Sequence, residues 1–345
     1  MKKRLIAIIV SSLLATVIFP ANIWAQDINF SQFYELPLLR NPALAGLYKG
    51  DFRITAAFRN QWSSVTTPYV TQALGLECKI GAGGENNYLG LGLQVTNDVA
   101  GDSKLGKMAV LPCLTFHKSL NGDENTYLSL GFMGGFVQQH FDASKLQFDD
   151  QFVNGAYSPT NPTRQSFTNT NTTYLDAGAG LLFSSETQSD IKYYLGASYF
   201  HFNQPKVAFD RQQDIRLNKK LMINAGLAVP TSEYDKIVLY ADYFTQGGNN
   251  QTQGGILYDH DLVRQDEDEA ISLAIGAFLR WNDAVIPVIK LNYYKLGMGI
   301  TYDVNISKLS SASLARGGFE ATMSYRNFLN TRNSSAEKVR CPVAF

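Results

Sequence analysis

Strict alternation between apolar and small or polar residues is the feature that most constrains the fold of this chain. In the stretch YLGLGLQVTND (residues 88–98), every second residue from Leu89 to Val95 is apolar, and the residues between them are glycine, glutamine or threonine. Successive side chains of a β-strand point to opposite faces, so this period of two predicts a strand with one apolar face. The pattern recurs along the chain, for example over residues 52–59, 128–136, 175–183, 221–229, 271–280, 296–303 and 319–326.

These recurrences predict an all-β fold of roughly fourteen strands of about ten residues, the length that crosses a bilayer when a strand is tilted. After Ala25 no stretch approaches the run of about 18 apolar residues that a membrane-spanning helix needs, which excludes a helical membrane protein. The predicted strands cover about 52–62, 68–80, 87–97, 105–118, 126–140, 173–185, 191–203, 220–230, 235–246, 251–260, 269–281, 285–293, 296–305 and 317–328.

The connections alternate in length. The long polar ones, about 141–172, 203–219 and 306–316, are odd-numbered, whereas several even-numbered ones are short turns, such as GAGGE at 81–85 and TSEY at 231–234. Bacterial outer-membrane barrels have short periplasmic turns and long external loops. The tenth connection, DHDLVRQDEDE, is longer than this rule predicts. An even strand number places both chain ends on the periplasmic side.

The non-apolar face decides between a soluble sandwich and a membrane barrel. A soluble sheet would present mostly charged residues to water, but here this face carries mainly Gly, Ser, Thr, Ala and Asn. Charged residues make up 17% of the chain, against about 25% in a typical soluble domain. We therefore predict a transmembrane antiparallel β-barrel whose apolar face contacts outer-membrane lipids. Aromatic residues near strand ends are interpreted as interfacial girdles: Tyr88, Tyr127, Tyr174, Tyr193, Tyr243, Trp281, Tyr293 and Tyr325.

The N-terminus is typical of a secretory signal peptide, with a basic start (Lys2 to Arg4), an apolar stretch and a small residue, Ala25, at the expected cleavage site. Cleavage would leave 27 basic and 30 acidic residues, from 30 of each, so no basic excess points to nucleic acid. The expected organisation is a signal peptide (1–25), an N-terminal periplasmic or plug segment (26–50), the barrel (51–328) and a C-terminal periplasmic tail (329–345).

Residues with catalytic or metal-binding chemistry are few. His140 and Asp142 could form a base and its orienting carboxylate at a strand end, but a solvated strand end is the favoured interpretation. The acidic run Asp266 to Glu269 would direct successive carboxylates to opposite sides, which makes a poor cation site. Three cysteines (Cys78, Cys113 and Cys341) give no disulfide framework. We predict no catalytic residue, no cofactor and no metal.

The segment from Gln26 to Gly50 lacks strand alternation and contains two prolines. Its apolar residues, including Phe30, Phe33 and Leu38, require a place to be buried. Two compatible roles are expected: a plug packed in the lumen or the periplasmic mouth, or a docking element for a periplasmic partner.

Several motifs resemble those of a known family. QDINFSQFYELPLLRNPALAG (residues 26–46) followed by FRNQW (58–62) is similar to the N-terminal signature of the PorP/SprF family, outer-membrane proteins of the type IX secretion and gliding-motility apparatus of Bacteroidetes. GMGITYDVNIS, GGFEATMSYRN and the ending CPVAF also resemble the family. The resemblance implies that the signature residues bind a partner: Phe30, Ser31, Gln32, Phe33, Asn41, Pro42, Ala43, Gly46, Arg59, Asn60, Gln61 and Trp62.

This resemblance implies an accessory barrel that is not itself the export channel. Such a barrel would associate with periplasmic ring lipoproteins of the secretion machine, and would anchor a secreted surface protein, such as an adhesin, through its C-terminal sorting domain. A passive porin or small-solute transporter is the alternative.

Overall fold

A computed structural model describes residues 27–63, 67–83, 86–120, 126–153, 155–210, 212–264, 270–307 and 316–328. The expected signal peptide, the tail at 329–345 with Cys341, and the acidic run at 266–269 lie outside the described residues. Within the described part of the chain, no helix is long and apolar enough to span a membrane.

In the described residues, fourteen antiparallel strands form one closed barrel, which confirms the predicted fold class. Each strand pairs with its neighbour in sequence, and the first strand pairs with the last to close the ring. The barrel strands are β1 (Phe52–Gln61), β2 (Tyr69–Gly81), β3 (Tyr88–Ala100), β4 (Leu105–Ser119), β5 (Thr126–His140), β8 (Asn171–Glu186), β9 (Lys192–Phe200), β10 (Lys220–Pro230), β11 (Asp235–Gln246), β12 (Asn249–Arg264), β13 (Ala270–Arg280), β14 (Ala284–Tyr293), β15 (Leu296–Asn305) and β16 (Arg316–Asn327). A short hairpin of two two-residue strands, β6 (Phe152–Val153) and β7 (Ala156–Tyr157), lies in the loop between β5 and β8.

The long connections, 141–170, 201–219 and 306–315, all leave the same end of the barrel, which we call the loop end. The opposite end, the turn end, has connections of two to six residues. The predicted length of the tenth connection was wrong. Strand β12 continues to Arg264, so the connection covers only residues 265–269. The alternation of connection lengths is therefore more regular than the sequence indicated.

The apolar face of each strand points outward, as expected for contact with lipid. Leu114, Leu130 and Ile275 are each about half exposed, whereas their inward neighbours Thr115, Ser129 and Ala274 are buried. The predicted girdle was wrong at three positions, because Tyr88, Tyr127 and Tyr174 are buried inside the barrel. Strand alternation explains this, since Tyr88 shares the face of Gly90 rather than that of Leu89. The outward-facing members are Tyr193, Tyr243, Trp281, Tyr293 and Tyr325.

Candidate functional site

Residues Asp27–Gly50 lie inside the barrel and are called the plug. The plug contains three 3₁₀ turns, Phe33–Glu35, Pro37–Leu39 and Pro42–Leu44, and nearly all of its residues from Phe30 to Tyr48 are buried. It begins at the loop end, where Asp27 contacts Lys107 near the start of β4. It finishes at the turn end, where Gly50 packs on the backbone of Asn327. The plug therefore traverses the lumen from end to end.

Near the loop end, a cluster of charged side chains holds Ser31. The Ser31 hydroxyl donates to Asp303 and accepts from Arg59 and Arg280, at 2.5, 2.6 and 2.9 Å. The Ser31 backbone N–H donates to Glu320. Arg59 also pairs with Asp303 and Glu320, at 2.7 and 3.1 Å. The cluster thus joins the plug to strands β1, β13, β15 and β16.

Gln32 continues this attachment. Its backbone N–H donates to Glu320 at 2.6 Å, and its side-chain carbonyl accepts from the hydroxyl of Thr322 at 2.8 Å. Burying charges is costly unless each is paired and hydrogen-bonded. Here the charges are compensated, because the two guanidinium groups meet two buried carboxylates, Arg280 also pairs with the partly exposed Asp283 at 2.8 Å, and the plug supplies further donors. Removing one member would leave its partner buried without compensation.

In the middle of the lumen, Asn41 anchors the Asn-Pro-Ala turn. Its side-chain oxygen accepts from the backbone N–H of Ala43, which caps the turn, while Pro42 occupies the first helical position. Its amide nitrogen donates to the carbonyl oxygens of Leu181 and Ala197, at 3.1 and 3.3 Å. These carbonyls belong to the barrel wall, so Asn41 connects the turn to β8 and β9.

This contact requires glycine in the wall. A Cβ atom at Gly180 would lie 1.8 Å from the side-chain oxygen of Asn41. The Pro42 carbonyl, one residue further, accepts from the hydroxyl of Thr115 at 2.7 Å. The small inward residues predicted to suit a crowded interior thus leave space for the plug backbone.

Toward the turn end, Gly46 and its neighbours dock on β2, β3 and β4. Gly46 has φ of +88°, a conformation that favours glycine, and its N–H donates to Glu77 at 3.2 Å. His117 Nε2 donates to the carbonyl of Ala45 at 2.7 Å, and its ring stacks on Tyr88 with centroids 4.1 Å apart. The buried Tyr88 therefore supports a plug-binding histidine.

Arg40 is the central cation of the plug. Its guanidinium makes a bidentate contact with Asp242, at 2.5 and 2.9 Å, and donates to the hydroxyl of Tyr194 at 2.8 Å. It also lies 5.0 Å from the ring centroid of Phe33, within cation–π range. A bidentate arginine–carboxylate pair fixes geometry as well as charge, so it orients the plug against β11 and β9.

Asp27 closes the loop end of the plug. His201 lies between two carboxylates, with Nε2 2.5 Å from Asp27 and Nδ1 2.8 Å from Asp176. Burial alone would lower the pKa of His201, but the two carboxylates raise it to about 9. Burial would raise the pKa of the Asp27 carboxyl, yet Lys107, His201 and Lys220 hold it well below its usual range. At neutral pH the His201 imidazolium and the Asp27 carboxylate are therefore both charged.

The structure brings most of the signature residues together. Phe30, Ser31, Gln32, Phe33, Asn41, Pro42, Ala43, Gly46 and Arg59 all lie in the lumen and are buried. The remaining three lie at the end of β1 or just beyond it: Gln61 is half-buried, Asn60 faces outward, and Trp62, after the strand, donates its N–H to the carbonyl of Gly317. The nine signature residues in the lumen are enclosed by the barrel, so a partner would reach them only after the plug had moved.

Sequence reasoning missed the barrel side of these contacts. Asp303, Glu320 and Arg280 lie on the small-residue face in the sequence pattern, but the pattern predicts no contact with the plug for them, nor for Asp242 and His201. A charged residue on the small-residue face of a strand was the available signal, because a buried charge requires a partner. The sequence contained no indication of which partner each would find.

The alternative chemistry is not assembled in the described residues. Asp142 accepts from the backbone N–H of Ser144 at 3.1 Å rather than orienting His140. Cys113 is buried in the lumen, whereas Cys78 is half-buried on the outward face.

A closed barrel with its lumen filled by its own N-terminal segment defines a plugged β-barrel membrane protein. Residues 23–325 match the family described as type IX secretion system membrane protein PorP/SprF. The chain belongs to this family, which makes it a membrane component of type IX secretion, and no enzymatic function is indicated for it. A comparison with curated proteins returns no match.

Solved structures of other proteins are similar to this chain at low sequence identity. The toluene transporter TodX of Pseudomonas putida is 9% identical, with a TM-score of 0.50 over 88% of this chain and 95% of TodX. A FadL homologue of Pseudomonas aeruginosa is 10% identical, with a TM-score of 0.46 over 83% of this chain and 92% of its own. At such identities the likeness concerns the fold alone.

Proposed function

We propose that this chain is a non-catalytic accessory barrel of type IX protein secretion in the bacterial outer membrane. In this role it links the periplasmic ring to the outer membrane and anchors a secreted surface protein, such as an adhesin. Family membership supports the secretion role. The observation that carries the accessory role is the plug, whose backbone and side chains are fixed to the wall along the whole lumen.

The plug argues against the alternative of a passive porin. A passive pore needs a continuous aqueous path, whereas this lumen contains paired charges and packed aromatic rings. Tyr34 stacks between Tyr240 and Phe278, with ring centroids 4.9 and 5.2 Å apart. Opening such a path would require separating buried ion pairs such as Arg40 with Asp242 and unpacking these rings.

The loop end offers a surface for the secreted partner. Phe141 packs edge to face on Phe167 and Phe209, so the two longest loops are held together. Phe152 and Val153 of the β6–β7 hairpin are about half exposed. Exposed apolar side chains beyond the strands are not needed for lipid contact, and clustered ones mark protein interaction sites. We assign the sorting domain of the cargo to this surface and the ring lipoprotein to the turn end.

The positions of the chain ends refine this proposal. The start of β1 and the end of β16 lie at the turn end, in accord with a periplasmic C-terminal tail. Asp27, however, lies at the loop end. If cleavage follows Ala25, the mature N-terminus is at the external mouth rather than in the periplasm. The signature residues then act first as plug anchors.

Co-purification tests the role. We expect mild detergent extraction to recover the barrel with ring lipoprotein and secreted cargo. Changing Phe152→Ser together with Val153→Ser should release the cargo and retain the ring component. Thr168→Ala, an exposed polar change in the same loop, should release neither. Recovery of the barrel without either partner, together with steady conductance in planar bilayers, would favour the porin.

A further inference from the structure

The outer wall of the barrel has a cleft at the loop end, beside the pairing of the first and last strands. Its volume is about 300 Å³, within the range of small-ligand sites. Its walls include Phe58, Tyr302 and Phe319, which are each about 40% exposed on the lipid-facing side. The cleft is therefore separate from the lumen and its plug.

A β-bulge creates this cleft. Tyr302 pairs with Phe319, but Val304 pairs with Arg316, so β16 has one residue more than β15 at this point. The extra residue turns Arg316 onto the same outward face as Val304. Without the bulge, strand alternation would direct Arg316 into the lumen. Gly317 and Gly318 occupy the bulge, so no side chain fills the floor between the aromatic walls.

Two polar groups accompany the apolar walls. Arg316 is exposed and lines the cleft. Asn60 also lines it, and among the described residues its buried side-chain oxygen has no hydrogen-bond partner. An unsatisfied acceptor is unfavourable, so a ligand O–H or N–H that meets this oxygen after a rotation of the Asn60 side chain would be favoured here.

We propose that this cleft binds one phosphorylated lipid from the membrane leaflet at the loop end. The surrounding wall is immersed in lipid, so a lipid is the molecule that meets it. An acyl chain would lie between Phe58 and Phe319, and the phosphate would contact the Arg316 guanidinium, whose planar donors suit phosphate. A headgroup hydroxyl or amine would satisfy Asn60. This site is independent of the secretion role.

Native mass spectrometry of the full chain, extracted in mild detergent, tests the proposal. We expect one phosphorylated lipid to remain on the wild-type barrel and Arg316→Ala to reduce its retention about tenfold. Lys219→Ala is the matched control, because Lys219 is another exposed cation at the loop end, next to the start of β10. It should retain the lipid as the wild type does.

Asn60→Asp serves as a second variant, since it keeps the side-chain shape and places a negative charge beside the phosphate. It should also release the lipid. Equal retention by Arg316→Ala and Lys219→Ala would overturn the proposal. So would a wild-type barrel without bound lipid, as expected if the chain's own loops fill the cleft, or displacement of the lipid by inorganic phosphate alone.

Discussion

The carboxylate of Glu320 accepts the backbone N–H of Ser31 at 2.7 Å, joining residues 289 positions apart in the chain. The same carboxylate receives Arg59 from the neighbouring strand. The last strand of the barrel therefore holds both the plug and the first strand through one side chain.

Glu320→Gln should destabilise the barrel. The change removes one of the two buried carboxylates that pair with Arg59, so we expect a loss of about 3–5 kcal/mol in the free energy of unfolding. Urea titration in lipid vesicles measures this. Asp214→Asn is the control, because Asp214 pairs with Lys206 in an exposed loop, where a salt bridge is worth about 0–1 kcal/mol. Equal losses of stability in Glu320→Gln and Asp214→Asn would contradict a stabilising role for the buried Glu320 carboxylate.

Gly180→Ala should displace the middle of the plug, because the new methyl group would occupy the position of the Asn41 side-chain oxygen. We expect conductance in planar bilayers where the wild type is silent, together with a lower unfolding temperature. Gly75→Ala is the matched change, since Gly75 also faces inward but a Cβ there meets its nearest neighbour at 3.6 Å. Silent recordings from both variants would show that the plug tolerates the methyl group.

The pH dependence of stability should depend on His201. Its pKa is raised in the folded protein, so its contribution is complete below about pH 6.5 and is lost as the pH rises through about 9. The pKa of the Asp27 carboxyl is lowered, so its contribution is lost only as the pH falls into the acid range. Unfolding temperatures at pH 7 and pH 10 should differ more for the wild type than for His201→Gln. Parallel profiles would exclude this role.

The direction of the plug can be tested by labelling intact cells. In a background of Cys78→Ser, Cys113→Ser and Cys341→Ser, a cysteine replaces Ile28 or Lys49, both half-buried at opposite ends of the plug. We expect a membrane-impermeant maleimide to label Ile28→Cys from outside. It should label Lys49→Cys only after the outer membrane is permeabilised. The reverse pattern would invert the orientation of the barrel.

Arginine substitutions at two depths in the membrane test whether the outward face of the barrel contacts lipid. Leu130→Arg places a cation on the lipid-facing side near the middle of β5 and should cost about 2–4 kcal/mol, whereas Tyr193→Arg, on the same outward face but near the start of β9, should cost about 0–1 kcal/mol. Both changes in the free energy of unfolding are obtained from the folded fraction in lipid vesicles, measured as a function of urea concentration.

Leu91→Arg should likewise impair insertion. Gln94 does face inward, as the alternation predicted, but it is buried, so Gln94→Arg is a less suitable control.

The sequence predicted the barrel and the facing of its strands because both follow from local alternation. The same rule places Tyr88 inside the barrel, whereas its position near a strand end favours the interfacial girdle. The structure follows the rule of alternation. The plug contacts were beyond prediction for a different reason. Ser31 and Glu320, or Asn41 and Gly180, meet only after the chain has closed, and no local pattern encodes such pairings.

Closure of the ring has a consequence for assembly. Arg59 and Glu320 are directly opposite each other in the pairing of β1 with β16, and both contact Ser31. A closed barrel admits the N-terminal segment only through its two ends, whereas an unclosed sheet can curl around it. Because the residues that face each other where the barrel closes also bind Ser31, closure of the barrel and docking of the plug stabilise each other.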